Sequence, residues 1–163
     1  MNRMISKLFG GAWEIIQFAL IVLVVVLPIR IYIAQPFIVS GASMVPTFEN
    51  GDYLIIDEFT YNFIREPQKG EVIVFRYPND PSKFFIKRIV GLPGEEVVVD
   101  GRSWTVGNDE YFVMGDNRLQ SLDSRSFGGL PRDNITGRAL LRLWPPKAFA
   151  LEPGLDAAPQ FLQ

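Results

Sequence analysis

The stretch Phe84-Phe-Ile-Lys-Arg-Ile-Val90 decides the class of fold. It is short, rich in β-branched and aromatic residues, and bounded by turn formers, Tyr77-Pro-Asn-Asp-Pro81 before it and Leu92-Pro-Gly94 after it. That combination reads as a β-strand. Similar runs lie on both sides: Tyr53-Leu-Ile-Ile56, Glu71-Val-Ile-Val-Phe75, Glu96-Val-Val-Val99 and Tyr111-Phe-Val-Met114. Glu49-Asn-Gly-Asp52, Asp100-Gly101 and Gly107-Asn108 punctuate them. Only Phe59–Glu66 looks weakly helical. The expectation is a mainly β domain over residues 35–147, an antiparallel barrel or sandwich. Residues 148–163 hold two prolines, one glycine and no clear period, and read as a loose tail.

The N-terminal stretch is different. Residues 15–34 are apolar apart from Gln17 and Arg30 near the two ends, and a helix needs roughly 20 such residues to cross a bilayer. Arg30 can snorkel toward headgroups, and Pro28 ends or kinks the helix in its last turn. A buried core helix is usually amphipathic, whereas residues 18–27 are apolar on every face. A cleaved leader needs small residues close after the apolar run, and Ser40-Gly41-Ala42 lies far beyond Leu27. A retained membrane anchor over 13–34 is the favoured reading. Arg3 and Lys7 precede it, so the positive-inside rule places a short N-terminus, residues 1–12, in the cytoplasm and residues 35–163 outside.

Composition removes whole classes of chemistry. The chain of 163 residues has no Cys and no His, so thiol nucleophiles, thiolate and imidazole metal sites and the Ser-His-Asp triad are excluded. Catalysis, if any, falls to Ser, Thr, Lys, Tyr, Asp, Glu, Arg or backbone. A net charge of −2 argues against a nucleic-acid partner.

Three segments carry candidate chemistry. Ser40-Gly-Ala-Ser-Met-Val-Pro-Thr47 follows the apolar segment and reads either as a linker or as a site, because small residues flank Ser43 and let a substrate backbone approach. In the strand 84–90, Phe85, Lys87 and Ile89 share one face. Lys87 is either an exposed residue with its stem on the sheet or a desolvated amine whose pKa falls toward neutrality. Gly115-Asp-Asn-Arg-Leu-Gln-Ser-Leu-Asp-Ser-Arg125 is a polar loop in which Asp116, Arg118, Asp123 and Arg125 can form an ion network. No metal is expected there, since the two arginines compete for the carboxylates.

Taken together these segments resemble the boxes of the type I signal peptidases (leader peptidases): Ser43-Met-Val-Pro-Thr47 after an apolar span, Phe85-Ile-Lys-Arg-Ile-Val-Gly-Leu-Pro-Gly-Glu95, and Gly115-Asp-Asn-Arg118 followed by Ser121-Leu-Asp-Ser-Arg125. Gly51-Asp-Tyr-Leu54, Gly70-Glu-Val-Ile-Val-Phe75 and Leu130-Pro131 with Ile135-Thr-Gly-Arg-Ala139 follow the same order. The resemblance spans roughly residues 13–145. It implies a membrane-anchored serine endopeptidase of the cytoplasmic membrane, with its catalytic domain on the outer side, that removes signal peptides from exported preproteins. Its partners are then signal peptides and the lipid bilayer, and no cofactor is implied. Ser43 matches the nucleophile and Lys87 the general base, in keeping with a Ser nucleophile that has no His. Ser121 matches a hydroxyl that orients the Lys amine. Asp116, Arg118, Asp123 and Arg125 match a structural network behind the pair. Phe37, Val39, Met44, Phe85 and Ile86 match the substrate pockets, which implies cleavage after small-x-small sequences.

Two departures stand out. Some members carry a Ser two residues before the nucleophile as an oxyanion donor, where this chain has Gly41; the Ser43 backbone N–H is left as the expected donor. Residues 100–109 are a short join where many members have a longer insertion. A membrane-anchored β module that only binds is the alternative class, and the presence of both Ser43 and Lys87 favours the peptidase.

Overall fold

A computed structural model of the chain describes residues 13–26 and 35–157. Residues 13–21 form an α-helix (α1) that passes into a π-helical turn at Val22–Val26. Its apolar side chains, Ile15, Phe18, Leu20 and Leu23 among them, are exposed. Among the described residues no helix is long and apolar enough to cross a membrane. The rest of the expected 13–34 span, residues 27–34, lies outside the described residues.

The body of the chain is antiparallel β-sheet. Its strands are β1 (Gln35–Ile38), β2 (Tyr53–Asp57), β3 (Val72–Tyr77), β4 (Asp80–Gly91), β5 (Glu96–Val99), β6 (Arg102–Thr105), β7 (Glu110–Met114), β8 (Leu130–Pro131), β9 (Ile135–Trp144) and β10 (Ala150–Leu151). Two short helices, α2 (Phe59–Phe63) and α3 (Ser124–Phe127), interrupt them. The main sheet runs β1-β2-β9-β3-β4-β7-β8, with β10 added to β9, and β5 and β6 make a separate hairpin.

Burial explains the strand sequences. On β3, Val72 and Val74 join a core cluster with Met44, Phe48, Leu54 and Ile86, while Ile73 and Phe75 join a second with Ile89, Tyr111 and Val113. Both faces of β3 are covered, so it reads as an unbroken apolar run rather than as polar-apolar alternation. A third cluster, Val90, Val97, Val106, Phe112 and Met114, seats the β5–β6 hairpin on β4 and β7.

Two expectations need correction. The sheet is no closed barrel, because its pairing path ends at β1 and β8. It curls so that β1 comes opposite the first half of β4, where Phe37 and Phe84 meet edge to face at 6.0 Å. Side chains, not backbone hydrogen bonds, span that gap. Nor are residues 148–157 a loose tail. Ala150 and Leu151 pair with Arg142 and Leu141 of β9, and the Glu152 N–H donates to Leu140 O at 2.7 Å. Backbone pairing to a neighbouring strand needs no apolar period, which is why composition does not betray it. Residues 158–163 lie outside the described residues.

Candidate active site

Ser43 stands in the loop between β1 and β2. The loop closes on itself through Val39 N–H to Asp52 O and Gly51 N–H to Val39 O, both 2.9 Å, and through Phe48 N–H to Met44 O at 2.8 Å. Met44 and Phe48 plug it into the core, at 1% and 0% exposure. Gly41 turns the chain at φ +95°, the left-handed region where glycine has no Cβ penalty, and its N–H donates to Asn50 Oδ1 at 2.9 Å. Among the described residues no acceptor takes the Ser43 N–H.

β4 delivers Lys87 to this loop. Lys87 Nζ donates to Ser43 Oγ at 2.7 Å and to the Ile86 carbonyl at 2.8 Å. It is 4% exposed, and Ile73, directly across on β3, is 0% exposed. Burial disfavours the charged amine and pushes its pKa down to about 8, against the pull of the Asp123 and Asp116 carboxylates, which favour the ammonium. The amine therefore titrates near neutrality beside a hydroxyl it can deprotonate.

The loop after β7 closes the third side. The Asn117 N–H donates to Ser43 O at 3.0 Å, and its side-chain amide to Ala42 O at 3.2 Å. Gly115 makes this approach feasible: a Cβ there would sit 2.5 Å from Ser43 O and would also run into the Ser121 side chain. Ser121 Oγ is buried beside Gly115 and the Asp123 carboxylate, and it is not hydrogen-bonded to Lys87. The Ile86 carbonyl holds the amine in this structure.

The ion network is built differently from the sequence expectation. Asp123 pairs with Arg125 at 3.0 Å and accepts from the Gly115 N–H. Burial opposes its ionisation, but Arg125 and the Gly115 N–H outweigh burial and keep its carboxyl below the usual range. Arg125 also donates to the Arg118 carbonyl at 2.5 Å and to Asp100 at the β5–β6 turn at 3.1 Å. Asp116 turns to Arg88, which grips both its oxygens at 2.8 and 2.7 Å, with the two side chains 0% and 1% exposed. Thr47 Oγ1 donates to the same carboxylate at 2.5 Å. Sequence reasoning missed Arg88; its position beside Lys87 on an apolar strand was the available signal.

A groove of about 240 Å³ lies between residues 37–38 of β1 and 84–87 of β4, and takes in residues 40–43. Of the five expected pocket residues, Phe37, Phe85 and Ile86 line it. Val39 and Met44 lie in the core, 2% and 1% exposed. Gln120 and Leu122, which the sequence reading did not single out, also line it. Among the described residues no partner strand covers β4 ahead of Arg88 on the side away from β3, because pairing to β7 begins at that residue. One edge of β1 is likewise unpaired among the described residues, so these flank the groove with two open strand edges.

Comparison with known proteins shows the family. The family model for signal peptidase, peptidase S26, matches residues 12–106 and 98–144. The probable signal peptidase I-1 of Synechocystis sp. is 36% identical over 162 residues, covering 81% of this chain and 82% of that protein. The probable signal peptidase I-2 of the same organism is 37% identical over 146 residues, covering 72% of this chain and 66% of that protein. The mitochondrial inner membrane protease subunit 1 of Xenopus tropicalis is 38% identical over 124 residues, covering 72% of this chain and 74% of that protein.

Proposed function

The chain belongs to the signal peptidase, peptidase S26, family, and from that premise we propose that it is a membrane-anchored endopeptidase that cuts signal peptides from exported preproteins with a Ser43–Lys87 dyad. The observation that carries the reading is the 2.7 Å contact of Lys87 Nζ with Ser43 Oγ at an open groove. Neutral Lys87 accepts the Ser43 proton as Oγ attacks the scissile carbonyl. The resulting ammonium gives that proton to the departing amine, leaving an acyl-Ser43. Lys87, neutral again, takes a proton from the water that attacks the acyl carbon and returns it to Ser43 Oγ as that oxygen leaves. The Ser43 N–H faces the developing oxyanion as a donor, worth about 2.7–4 kcal/mol if it matches donors of its kind.

The groove binds an extended substrate between β1 and β4, so that substrate backbone pairs with the two open edges. Alternate side chains of the substrate then face the same wall. Phe37, Phe85 and Ile86 leave shallow space on that wall, which selects small residues at the first and third positions before the cut. The apolar residues 15–34 hold the domain at the bilayer, with the N-terminus cytoplasmic and the catalytic domain outside.

The test is incubation of the purified chain with a preprotein in detergent or vesicles, beside Ser43→Ala and Lys87→Ala. Wild type yields the mature product cut after a small residue, and both variants yield none. Cleavage by Ser43→Ala at the wild-type rate would sink the dyad.

A further inference from the structure

The segment that follows β9 lies beyond residue 144, where the family model ends. It turns at Pro146–Ala148, returns along β9 as β10, and is tied down again by an ion pair from Glu152 to Arg138 at 2.7 Å. Pro153 is buried. The segment then delivers Gly154 to the back of the active site.

Gly154 makes two contacts there. Its carbonyl accepts from Arg88 Nη1 at 2.7 Å. Its Cα is so close to its neighbours that a Cβ would stand 2.7 Å from Thr47 Cγ2 and 3.3 Å from Arg88 Nη2. The backbone has φ +88°, strained for any residue with a side chain. Thr47 follows Ser43 in the same loop, and Arg88 follows Lys87 on the same strand. Both hold Asp116, Thr47 by its hydroxyl and Arg88 by its fork.

We propose that Gly154 is a positioning residue for the Ser43–Lys87 pair, locking Thr47 and Arg88 onto Asp116 and so fixing the Ser43 loop against the Lys87 strand. The inference rests on the dyad reading above. A side chain at 154 moves Thr47 or the guanidinium, and either shift is passed to a residue that carries catalytic chemistry. It also changes the field at Lys87. The carboxylates acting on the amine are Asp116 and Asp123, neutralised by Arg88 and Arg125, with Arg118 beside them. Loosening Arg88 leaves Asp116 less neutralised, which favours the ammonium and moves the active form to higher pH.

The experiment compares Gly154→Ala, Gly154→Val and Glu152→Gln with wild type. The last removes the Arg138 ion pair from the same segment without touching Arg88. For each, kcat and KM are measured across neutral to alkaline pH, beside a thermal melt. We expect kcat to fall roughly tenfold in Gly154→Ala and a hundredfold in Gly154→Val, the scale of an ångström-sized misplacement. KM should hold within about twofold, and the ascending pH limb should move upward. Glu152→Gln should melt lower yet keep the wild-type kcat and limb. Should Gly154→Val fail to fold, Gly154→Ala carries the comparison. Wild-type kcat and limb in Gly154→Ala, or the same kcat loss in Glu152→Gln, overturns the proposal. A cleaving Ser43→Ala chain would overturn the dyad reading instead, whatever the Gly154 variants do.

Discussion

Lys87 and Arg88 are neighbours on β4 and carry their charges to opposite faces of the sheet, Lys87 to Ser43 and Arg88 to Asp116. Both are buried, but on different terms. The N–H groups of Arg88 are received by a carboxylate, that of Asp116, and by two backbone carbonyls, those of Gly70 and Gly154. Lys87 has a hydroxyl and one carbonyl and, among the described residues, no carboxylate within hydrogen-bond reach. One strand thus places a carboxylate-paired guanidinium beside an amine that burial drives toward its neutral form, which a dyad base requires.

The pH dependence follows from the amine. On the proposed dyad only neutral Lys87 accepts the Ser43 proton, so kcat/KM should rise about tenfold per pH unit below its pKa of about 8 and level off above it. A pH–rate profile checks this, and an ascending limb centred near the ordinary lysine value of about 10.4 would show an amine that burial does not perturb.

The same shift makes Lys87 a burden on stability. Its folded pKa lies below the unfolded value, so between about 8 and about 10.4 the unfolded chain binds more protons and stability rises with pH across that window. At pH 7 the full deficit is present, about 3 kcal/mol at 1.36 kcal/mol per unit. Lys87→Met should therefore be inactive yet more stable than wild type at neutral pH by that order. Urea melts should show the two converging as pH rises above 8, and a variant less stable than wild type at pH 7 would contradict the deficit.

Arg88→Met should lower stability by about 3–5 kcal/mol, since it strands a buried carboxylate. Adding Asp116→Asn should recover part of that loss, because the charge left unpaired is then gone. Denaturant titration of the single and double variants reads the coupling, and strictly additive losses would argue that the pair does not act as a unit.

Gly115→Ala tests the contact between the loop after β7 and Ser43. Its Cβ collides with the Ser43 carbonyl and with Ser121, so the Ser43 peptide must move. Activity should drop roughly a hundredfold for a shift near 1 Å, while overpacking costs about 1–3 kcal/mol. Full activity in a folded Gly115→Ala chain would show that the Ser43 position tolerates displacement.

The strands that were legible are those whose apolar side chains are buried. β3 and β4 announce themselves through Val72 to Phe75 and Phe84 to Val90. The central strand β9 does not, because its polar residues belong to ion pairs inside the fold. Arg138 meets Asp57 at 3.0 Å and Arg142 meets Asp52 at 3.1 Å. Gly137, which reads as a breaker, is there because the Asp57 carbonyl leaves no room for a Cβ. At the site, Ser43 and Lys87 were recognisable as types in a pattern, but the partner of Asp116 was not. Arg118 is two residues away in sequence and Arg88 is 28 away, and only the fold of β4 against β7 brings Arg88 onto the carboxylate.

On the proposed reading, the gap between β1 and β4 also acts as a conformational filter. One strand inserted between two others separates them by about 9.5 Å, twice the spacing of paired strands. An α-helix with its side chains is about 10–12 Å across, and its N–H and C=O groups are already spent on one another. Such a segment has neither the girth to enter nor free groups to offer the two edges. A chain taken up by this groove is one that has already left its helix, so the place where a polypeptide stops being helical becomes part of what is recognised. A substrate whose apolar helix runs unbroken into the cut position would be refused even with small residues there.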